Sequence, residues 1–288
     1  MRLAAVVLNW NGGERTLAAL GSLAGLDVIC VDNGSEDGSA DAVAARFPDV
    51  ELIRTGVNLG FSAGNNVGIR RALSGGADWV LLLNDDAVAD PGLATALGAA
   101  ADARPDAGVL ACKVYFAEPP DVLMYAGGRV NLRLGYSGRQ DGFGERDDGR
   151  FDELRDVERA TGAAMAVSRA AIERAGFLDE ALFAYAEDLE WCVRIRNAGF
   201  AIVFVPAARV WHVGSASTGG LRSPTSLYYD TRNVIAVAER HDPRGPVGAA
   251  LRRGVVVATH LLNARDASGA RAVVKGWRDA RHGRLGRR

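Results

Sequence analysis

The sequence predicts an α/β fold in which a mostly parallel central sheet is flanked by helices. Along the first 112 residues, short apolar runs alternate with segments whose apolar residues recur every three or four positions. This alternation is typical of buried strands and the helices that pack on them. Asp and Asn follow several of the apolar runs, and sheets of this kind bind ligands beyond the carboxyl ends of their strands.

The apolar runs locate the strands. We predict strands at residues 3–8, 28–31, 50–53, 79–83, 109–112, 163–167 and 201–205. Each run is short and almost uninterrupted, as expected for a strand whose two faces are both covered. Because strands alternate with helices, the crossovers between parallel strands are expected to be right-handed.

Helices fill the intervals. Leu17, Leu20 and Leu23 recur at helical spacing. Ser62 is predicted to cap the third helix, and Asp90-Pro91 to begin the fourth. Further helices are predicted at residues 39–47, 169–175 and 189–197, and from residue 223 to the end. Residues 117–158 are rich in Gly, Asp and Arg and are expected to form short strands and mobile loops, as a lid or an acceptor-side insertion.

Composition limits the class of protein. The chain has 288 residues, which suits one large α/β domain with an appendage or two modest domains. Its formal net charge of -1 argues against a nucleic-acid binder. The three cysteines, Cys30, Cys112 and Cys192, have no paired spacing and predict neither a disulfide framework nor a zinc site. A reducing cytoplasm is the expected compartment.

The two ends of the chain bear on membrane association. The N-terminus lacks a signal-peptide pattern, and no apolar stretch is long enough to span a membrane, so we predict no transmembrane helix. Residues 271–288 carry seven Arg and Lys residues against the single acid Asp279. This segment is interpreted either as a solvated, partly disordered tail or as a patch for anionic lipid or a lipid-phosphate substrate.

The acidic strand end Asn84-Asp85-Asp86 is the first candidate site. Carboxylates and carbonyl oxygens suit Mg²⁺ or Mn²⁺, which bridge phosphate oxygens. Asn84 and Asp86 lie two positions apart and are expected on one side of an extended segment. An ordinary turn after a core strand is the alternative, since Asn and Asp are common there.

Asp32 ends another apolar run and is expected to share a crevice with that acidic strand end. Its carboxylate can accept a hydrogen bond from a base or a ribose hydroxyl, although Asn33-Gly34-Ser35 also suits a simple turn. The loop after the first strand has neither GxGxxG nor GxxxxGK[ST]. Dinucleotide binding and a P-loop are therefore disfavoured.

Two downstream features carry titratable groups. Glu187-Asp188 lies at the start of a predicted helix, whose N-terminus favours ionised carboxylates able to act as a base. The alternative is helix capping by Asp188 with a Glu190–Arg194 pair. His212 follows an apolar segment and can complete a metal site with Asp86, or form an ordinary hydrogen bond.

In their order and spacing, these motifs resemble those of family 2 glycosyltransferases, the inverting enzymes with the GT-A fold, and especially their bacterial rhamnosyltransferase-like branch. The resemblance covers residues 3–233. The matching segments are VVLNWNGG, VDNGSEDGS, NLGFSAGNNVGI, LLLNDDA, ATGAAMAVSR, GFLDEALFAYAEDLEWCVRIRNAG, VWHVGSAS and YYDTRN.

The resemblance implies roles for matching residues. Asp188 would be the general base, and Glu187 would orient the acceptor. Asp86 and His212 would hold Mg²⁺ or Mn²⁺. Gly162 and Trp191 would lie on the acceptor side. The residues implied in binding the nucleotide-sugar donor are Asn9, Asn11, Asp32, Asn33, Asn58, Gly64, Asn65, Asn84, Asp85 and Arg232.

The same resemblance divides the chain. Residues 1–222 would form the GT-A catalytic domain, with a nucleotide-sugar-binding half at 1–115 and an acceptor or catalytic half at 116–222. Residues 223–288 would form a helical C-terminal extension with a basic tail. That extension is expected to serve as a dimer interface, a membrane contact or a cover for the acceptor. The protein is expected in the cytoplasm, with peripheral contact to the inner face of the membrane as a further expectation.

One departure from the family pattern concerns the metal. The first position of the usual Asp-x-Asp motif is Asn84, which adds no charge, so metal binding depends more on His212. The implied donor is dTDP-rhamnose or a UDP-hexose, and the acceptor a glycan, a lipid-linked glycan or a natural product. Two alternatives are a sugar nucleotidyltransferase, which the loop NWNGGERT fits poorly, and a non-catalytic sugar-nucleotide or glycan-binding subunit.

Overall fold

The computed structural model of the chain describes residues 1–135, 140–214 and 222–288. Within these ranges, ten strands form one sheet. The strands are β1 Leu3–Asn9, β2 Asp27–Asp32, β3 Glu51–Arg54, β4 Trp79–Asn84, β5 Ala87–Ala89, β6 Ala107–Phe116, β7 Leu123–Tyr125, β8 Arg155–Val157, β9 Ala164–Ser168 and β10 Ala201–His212.

Helices follow most of the strands and cover the sheet. They are α1 Glu14–Gly21, α2 Ser39–Arg46, α3 Phe61–Ser74, α4 Leu93–Ala103, α5 Arg169–Ala175, α6 Glu187–Asn197, α7 Pro224–His241, α8 Pro246–Asn263 and α9 Ala267–Arg281. A single 3-10 turn, Glu180–Leu182, precedes α6. The buried apolar side chains of β1, β4, β6 and β9 form the centre of the main core.

The first half of the sheet has the predicted parallel topology. Its strands lie in the order β3-β2-β1-β4, and all three pairings between them are parallel. The second half corrects the expectation of a mostly parallel sheet. There β9 runs antiparallel between β4 and β6, while β5, β7 and β8 pair antiparallel with their neighbours. The pairing of β10 with β6 is parallel, so the sheet as a whole is mixed.

Several predicted boundaries also change. Gly60, rather than Ser62, is the N-cap of α3, and the fourth helix starts at Leu93 after a turn in which Asp90 accepts from the Gly92 amide. β10 continues past Pro206 to His212, because a bulge between Val205 and Arg209 takes up the irregularity.

The C-terminal segment is helical as predicted. α8 and α9 both pack on α7 and on each other. Of the basic residues in the segment 271–288, those up to Arg281 lie in the regular helix α9. No helix in the described ranges is long and apolar enough to cross a membrane. Cys30, Cys112 and Cys192 are buried free thiols.

Candidate active site

The carboxyl ends of β1, β2 and β4 lie side by side. In the parallel register, Asn9 is opposite Asp32, and Leu8 is opposite Asn84. The expected common edge is therefore present: Asp32 and Asn84 flank the end of β1. The loops that leave this edge supply most of the residues predicted to bind the donor.

Asn9 is the hub of this edge. Its buried side chain donates from Nδ2 to Oδ1 of Asp32 at 3.0 Å and to the hydroxyls of Ser35 and Ser39. Its Oδ1 accepts from the Thr16 hydroxyl at 2.7 Å and from the Gly12 amide. One amide thus joins β1, β2, α1 and α2, and it holds the Asp32 carboxylate in a fixed position.

The loop before α3 is fixed by a pair of asparagines. Asn33 donates to Oδ1 of Asn58 at 3.2 Å and to the Gly60 carbonyl, and it accepts from the Leu59 amide. Gly64 allows α3 to approach β1, since a Cβ there would lie 2.5 Å from Cδ1 of Leu8. These contacts set the shape of the wall next to Asp32.

Two further residues predicted to bind the nucleotide-sugar donor, Asn11 and Asn65, form hydrogen bonds with nearby backbone groups. Asn11, with a positive φ of 53°, accepts at Oδ1 from the Glu36 amide and so ties the loops after β1 and β2 together. Asn65 is buried and donates to the Phe61 carbonyl at 2.9 Å, within the first turn of α3. Both side chains shape the backbone around the predicted donor pocket.

Asp86 and His212 form the predicted ligand pair. Nε2 of His212 lies 2.7 Å from Oδ1 of Asp86 and 3.2 Å from Nδ2 of Asn84. Nδ1 of the same ring lies 3.2 Å from the Met124 sulfur. Asp86 and His212 are both buried, and the pairing of β5 with β10 brings them together.

Asp85 adds a second carboxylate beside that pair. Its Oδ2 accepts from the Trp10 amide at 3.3 Å. Burial and the neighbouring Asp86 raise the pKa of Asp85 to about 6, while the positive charge of Arg15 opposes the rise. Nε of Arg15 is buried without a hydrogen-bond partner among the described residues. Sequence reasoning missed Arg15, although its place in the first turn after the β1 loop is a signal for phosphate contact.

The side chains of Asp86 and His212 fit a divalent cation as ligands. The carboxylate of Asp86 is the type of ligand that Mg²⁺ and Mn²⁺ prefer, and the adjacent imidazole of His212 can add one nitrogen ligand. The raised pKa of Asp85 indicates negative charge that a cation would offset. Within the described residues, no group of three or more His, Cys, Asp or Glu side chains is arranged to hold a metal ion. The remaining ligands would therefore be water and donor phosphate oxygens.

Asp188 is connected to the end of β4 through the residues that precede β9. Its Oδ2 accepts from the Gly162 amide at 2.9 Å and from Arg159 at 3.3 Å. The next carbonyl, that of Ala163, accepts from the Asn84 amide at 3.0 Å. Asn84, at the end of β4, and Asp188, at the start of α6, are thus both held by the strip that precedes β9. Arg159 is a second residue that sequence reasoning missed.

Gly162 lies close to the side chains of Phe61 and Asp188. A Cβ there would lie 3.4 Å from the Phe61 ring and 3.6 Å from Cβ of Asp188. A side chain at this position would enter the space between the start of α3 and Asp188.

Glu187 is buried beside Asp188, and its Oε2 has no hydrogen-bond partner among the described residues. Burial, followed by the charges of Asp188 and Asp230, raises its pKa well above the usual range of a carboxyl group. The raised pKa favours the protonated form of Glu187, which can donate a hydrogen bond.

The loop before Glu187 is conformationally unusual. Phe183, Tyr185 and Ala186 all have positive φ, which is unfavourable for residues with a Cβ and is common near functional sites. Nδ2 of Asn233 on α7 donates to the carbonyls of Leu182, Ala184 and Tyr185 at 2.8 to 2.9 Å. Sequence reasoning missed this clamp, which α7 places over the start of α6.

Two predicted site residues have protein partners. The guanidinium of Arg232 is buried and donates to the carbonyls of Leu182 and Gly286, so it supports the same loop. Trp191 is fully buried in the main core and donates to the Gly176 carbonyl at 2.7 Å. We assign Trp191 to packing, since no part of its side chain is exposed to an acceptor.

The comparisons with known proteins agree with this architecture. A model described as "Glycosyltransferase like family 2" matches residues 2–227. The chain is 34% identical over 275 residues to an N-acetylglucosaminyl-diphospho-decaprenol L-rhamnosyltransferase of Mycobacterium tuberculosis, covering 86% of this chain and 88% of that protein.

Solved structures show the same fold at low identity. Staphylococcus aureus TarS 1-349 in complex with UDP-GlcNAc has a TM-score of 0.61 at 14% identity, covering 97% of this chain and 81% of that one. The mannosyltransferase PcManGT from Pyrobaculum calidifontis, in complex with GDP-Man and Mn²⁺, has a TM-score of 0.57 at 16% identity, covering 98% and 83%.

The protein is thus a glycosyltransferase with the GT-A fold. It belongs to glycosyltransferase family 2 and is rhamnosyltransferase-like. This membership confirms the predicted fold and enzyme class, and it favours sugar transfer over the nucleotidyltransferase and binding-subunit alternatives.

Proposed function

We propose that this protein is an inverting rhamnosyltransferase that moves rhamnose from dTDP-rhamnose to a hydroxyl of a lipid-linked GlcNAc diphosphate. The activity of the mycobacterial relative, an N-acetylglucosaminyl-diphospho-decaprenol L-rhamnosyltransferase, supports both the sugar and the acceptor. The single structural observation that supports catalysis is the strip from Gly162 to Ala163, which hydrogen-bonds Asp188 on one side and the end of β4 on the other.

In this proposal the donor lies along the carboxyl edge of the sheet. Asp32, held by Asn9, accepts from the base or the ribose. The diphosphate lies toward Asp86 and His212, where a bound Mg²⁺ or Mn²⁺ would neutralise the charge of the leaving group. Arg15 is better placed than Arg232 to face the phosphates. Arg232 donates to protein carbonyls at 2.6 and 2.9 Å, whereas Nη2 of Arg15 makes a long bond of 3.5 Å to the Asn11 carbonyl, and its Nε lacks a partner in the described part of the chain.

The chemical step is a single displacement. The acceptor hydroxyl oxygen attacks the anomeric carbon while the bond from that carbon to the diphosphate oxygen breaks, which inverts the configuration. Asp188 takes the hydroxyl proton. Its Oδ2 accepts from the Gly162 amide and from Arg159, whereas Oδ1 accepts from the Leu189 amide and keeps a second lone pair for the acceptor hydroxyl. Protonated Glu187 orients the acceptor by donating a hydrogen bond.

A donor and acceptor panel tests the proposal. The purified protein is incubated with dTDP-rhamnose, UDP-glucose or UDP-GlcNAc, a short-chain GlcNAc-diphospholipid and Mn²⁺ or Mg²⁺. Product is identified by mass spectrometry. Rhamnosylated product that disappears with EDTA and in Asp188→Asn is the expected result. Transfer only from a UDP-sugar would reassign the donor, and turnover that survives both treatments would overturn the mechanism.

A further inference from the structure

The outer face of α8 is apolar over its whole length. Val247, Leu251 and Leu262 are 75%, 68% and 88% exposed. At 100° per residue they share one face, opposite the buried residues Val256 and His260. The exposed residues between 254 and 262 carry no charged side chain. Large side chains in such a continuous exposed stripe mark a contact surface rather than scattered surface apolarity.

The exposed face of α9 is basic. Arg271, Lys275 and Arg278 recur at helical spacing and all are exposed. The one acid near them, Asp279, accepts a hydrogen bond from the Tyr228 hydroxyl at 2.7 Å. Buried residues of α8 and α9 rest on α7, so the exposed residues of both helices lie mainly on the sides away from it, while Nζ of Lys275 lies 5.7 Å from the centroid of the Tyr228 ring on α7.

This surface is one helix away from the catalytic side of the molecule. Nε2 of His260, on the inner face of α8, lies 2.9 Å from Oδ2 of Asp230 on α7. Asp230 is near enough to Glu187 for its charge to act on that carboxyl group. Asn233, on the same helix, clamps the loop before Glu187. α7 therefore links the exposed face of α8 to the start of α6.

We propose that the apolar face of α8 and the basic face of α9 together dock the enzyme on an anionic lipid surface. The apolar side chains enter the boundary between head groups and acyl chains, and the Arg and Lys side chains contact anionic head groups. The positive charge of α9, which packs against α8, favours an anionic occupant over a second copy of the chain, whose α9 carries the same charge. Docking on the lipid surface does not depend on the proposed function. The further step, in which a lipid-linked acceptor reaches Asp188 from this side, rests on the proposed function.

Vesicle flotation tests the docking. Full-length protein is floated with vesicles of phosphatidylcholine and phosphatidylglycerol, or of phosphatidylcholine alone. Flotation is expected only with the anionic vesicles. The pair Leu251→Gln and Leu262→Gln is expected to reduce it about tenfold. The triple change Arg271→Gln, Lys275→Gln and Arg278→Gln is expected to reduce it about a hundredfold, since each basic residue contributes about fivefold.

Leu154→Gln, at an exposed leucine outside α8, is the matched control and is expected to float like the parent. Equal flotation of all variants, or none by the parent, would overturn the docking. Conversion of a dimer to a monomer by the leucine pair, measured by sedimentation, would assign the face to a second copy. The assay needs neither donor nor acceptor. Protein that floats but transfers no sugar contradicts the proposed function alone, and active protein that does not float contradicts the docking alone.

Discussion

Nε2 of His212 lies 2.7 Å from Oδ1 of Asp86, although the two residues are far apart in the sequence. The pairing of β5 with β10 places His212 opposite Ala87, and the Val213 amide donates to the Asp86 carbonyl at 3.0 Å. Backbone hydrogen bonds therefore fix the separation of the two side chains. Removing either side chain is expected to leave the backbone of the other in place.

His212→Ala is expected to raise the Mn²⁺ concentration for half-maximal transfer by at least about tenfold, because one of the two proposed protein ligands is lost. Asp86→Asn is expected to act in the same direction. Asn84→Asp, which adds a carboxylate 3.2 Å from the imidazole position, is expected to lower that concentration. Activity is titrated with Mn²⁺ at saturating donor. An unchanged titration for His212→Ala would show that the histidine is not a ligand.

Asp188→Asn is expected to reduce kcat by about 10² to 10⁴, because the amide cannot take the acceptor proton. The Michaelis constant for the donor is expected to change little, since Asn keeps acceptor and donor groups for the Gly162 amide and its surroundings. Glu187→Gln is the matched control: it mimics the protonated carboxyl and is expected to lose much less activity. Steady-state kinetics of nucleoside diphosphate release measure both. Equal losses in the two variants would contradict the assignment of the base.

Arg15→Gln is expected to weaken binding of the nucleoside diphosphate about tenfold, because the variant loses one charge-assisted hydrogen bond to the phosphates. The reason is the position of Arg15, whose charge acts on Asp85 and whose buried Nε lacks a partner among the described residues. Arg46→Gln, at an exposed position on α2, serves as the control. Calorimetric titration without metal measures the affinity. Identical affinities for the parent and Arg15→Gln would remove Arg15 from the phosphate site.

The parallel half of the sheet and its ligand edge followed from the sequence, because alternation of strands and helices constrains where Asp32 and Asn84 can lie. The direction of β9 could not be predicted, since an apolar run does not report the direction of a strand. Asn233 and Arg159 were missed because their partners are determined by long-range packing. Asn9 was predicted to bind the nucleotide-sugar donor. Its role as a buried hub could not be predicted, because its hydrogen-bond partners lie on β2, α1 and α2, which the fold brings together.

Asn9→Asp is expected to lower the free energy of unfolding by about 2 to 5 kcal/mol at neutral pH. The change replaces a buried amide that donates to Asp32 at 3.0 Å with a second buried carboxylate at about the same distance from Asp32. The loss is expected to shrink in acid, where one carboxylate takes a proton. Asn11→Asp is the matched control, because Asn11 is exposed and accepts from the Glu36 amide, which Asp also does. Urea unfolding at two pH values measures the difference. A similar loss in both variants would contradict the hub role.

Glu187 is expected to make the protein less stable as the pH rises. Its folded pKa is raised above the ordinary value of 4.5, so the folded state binds more protons than the unfolded state through the range between the two pKa values. Stability is then fully present below about 4.5 and is lost as the pH rises through the folded pKa.

Glu187→Gln removes this titration. The variant is expected to match the parent in acid and to melt at a higher temperature at neutral and alkaline pH. Glu180→Gln is the opposite control, because hydrogen bonds from Asn66 and Arg70 lower the pKa of Glu180, and its contribution is present above the ordinary pKa and lost in acid. Melting curves between about pH 5 and pH 9 compare the three proteins. If the parent and Glu187→Gln kept a constant difference in melting temperature across that range, Glu187 would be ionised in the folded protein, and its role as a hydrogen-bond donor to the acceptor would be wrong.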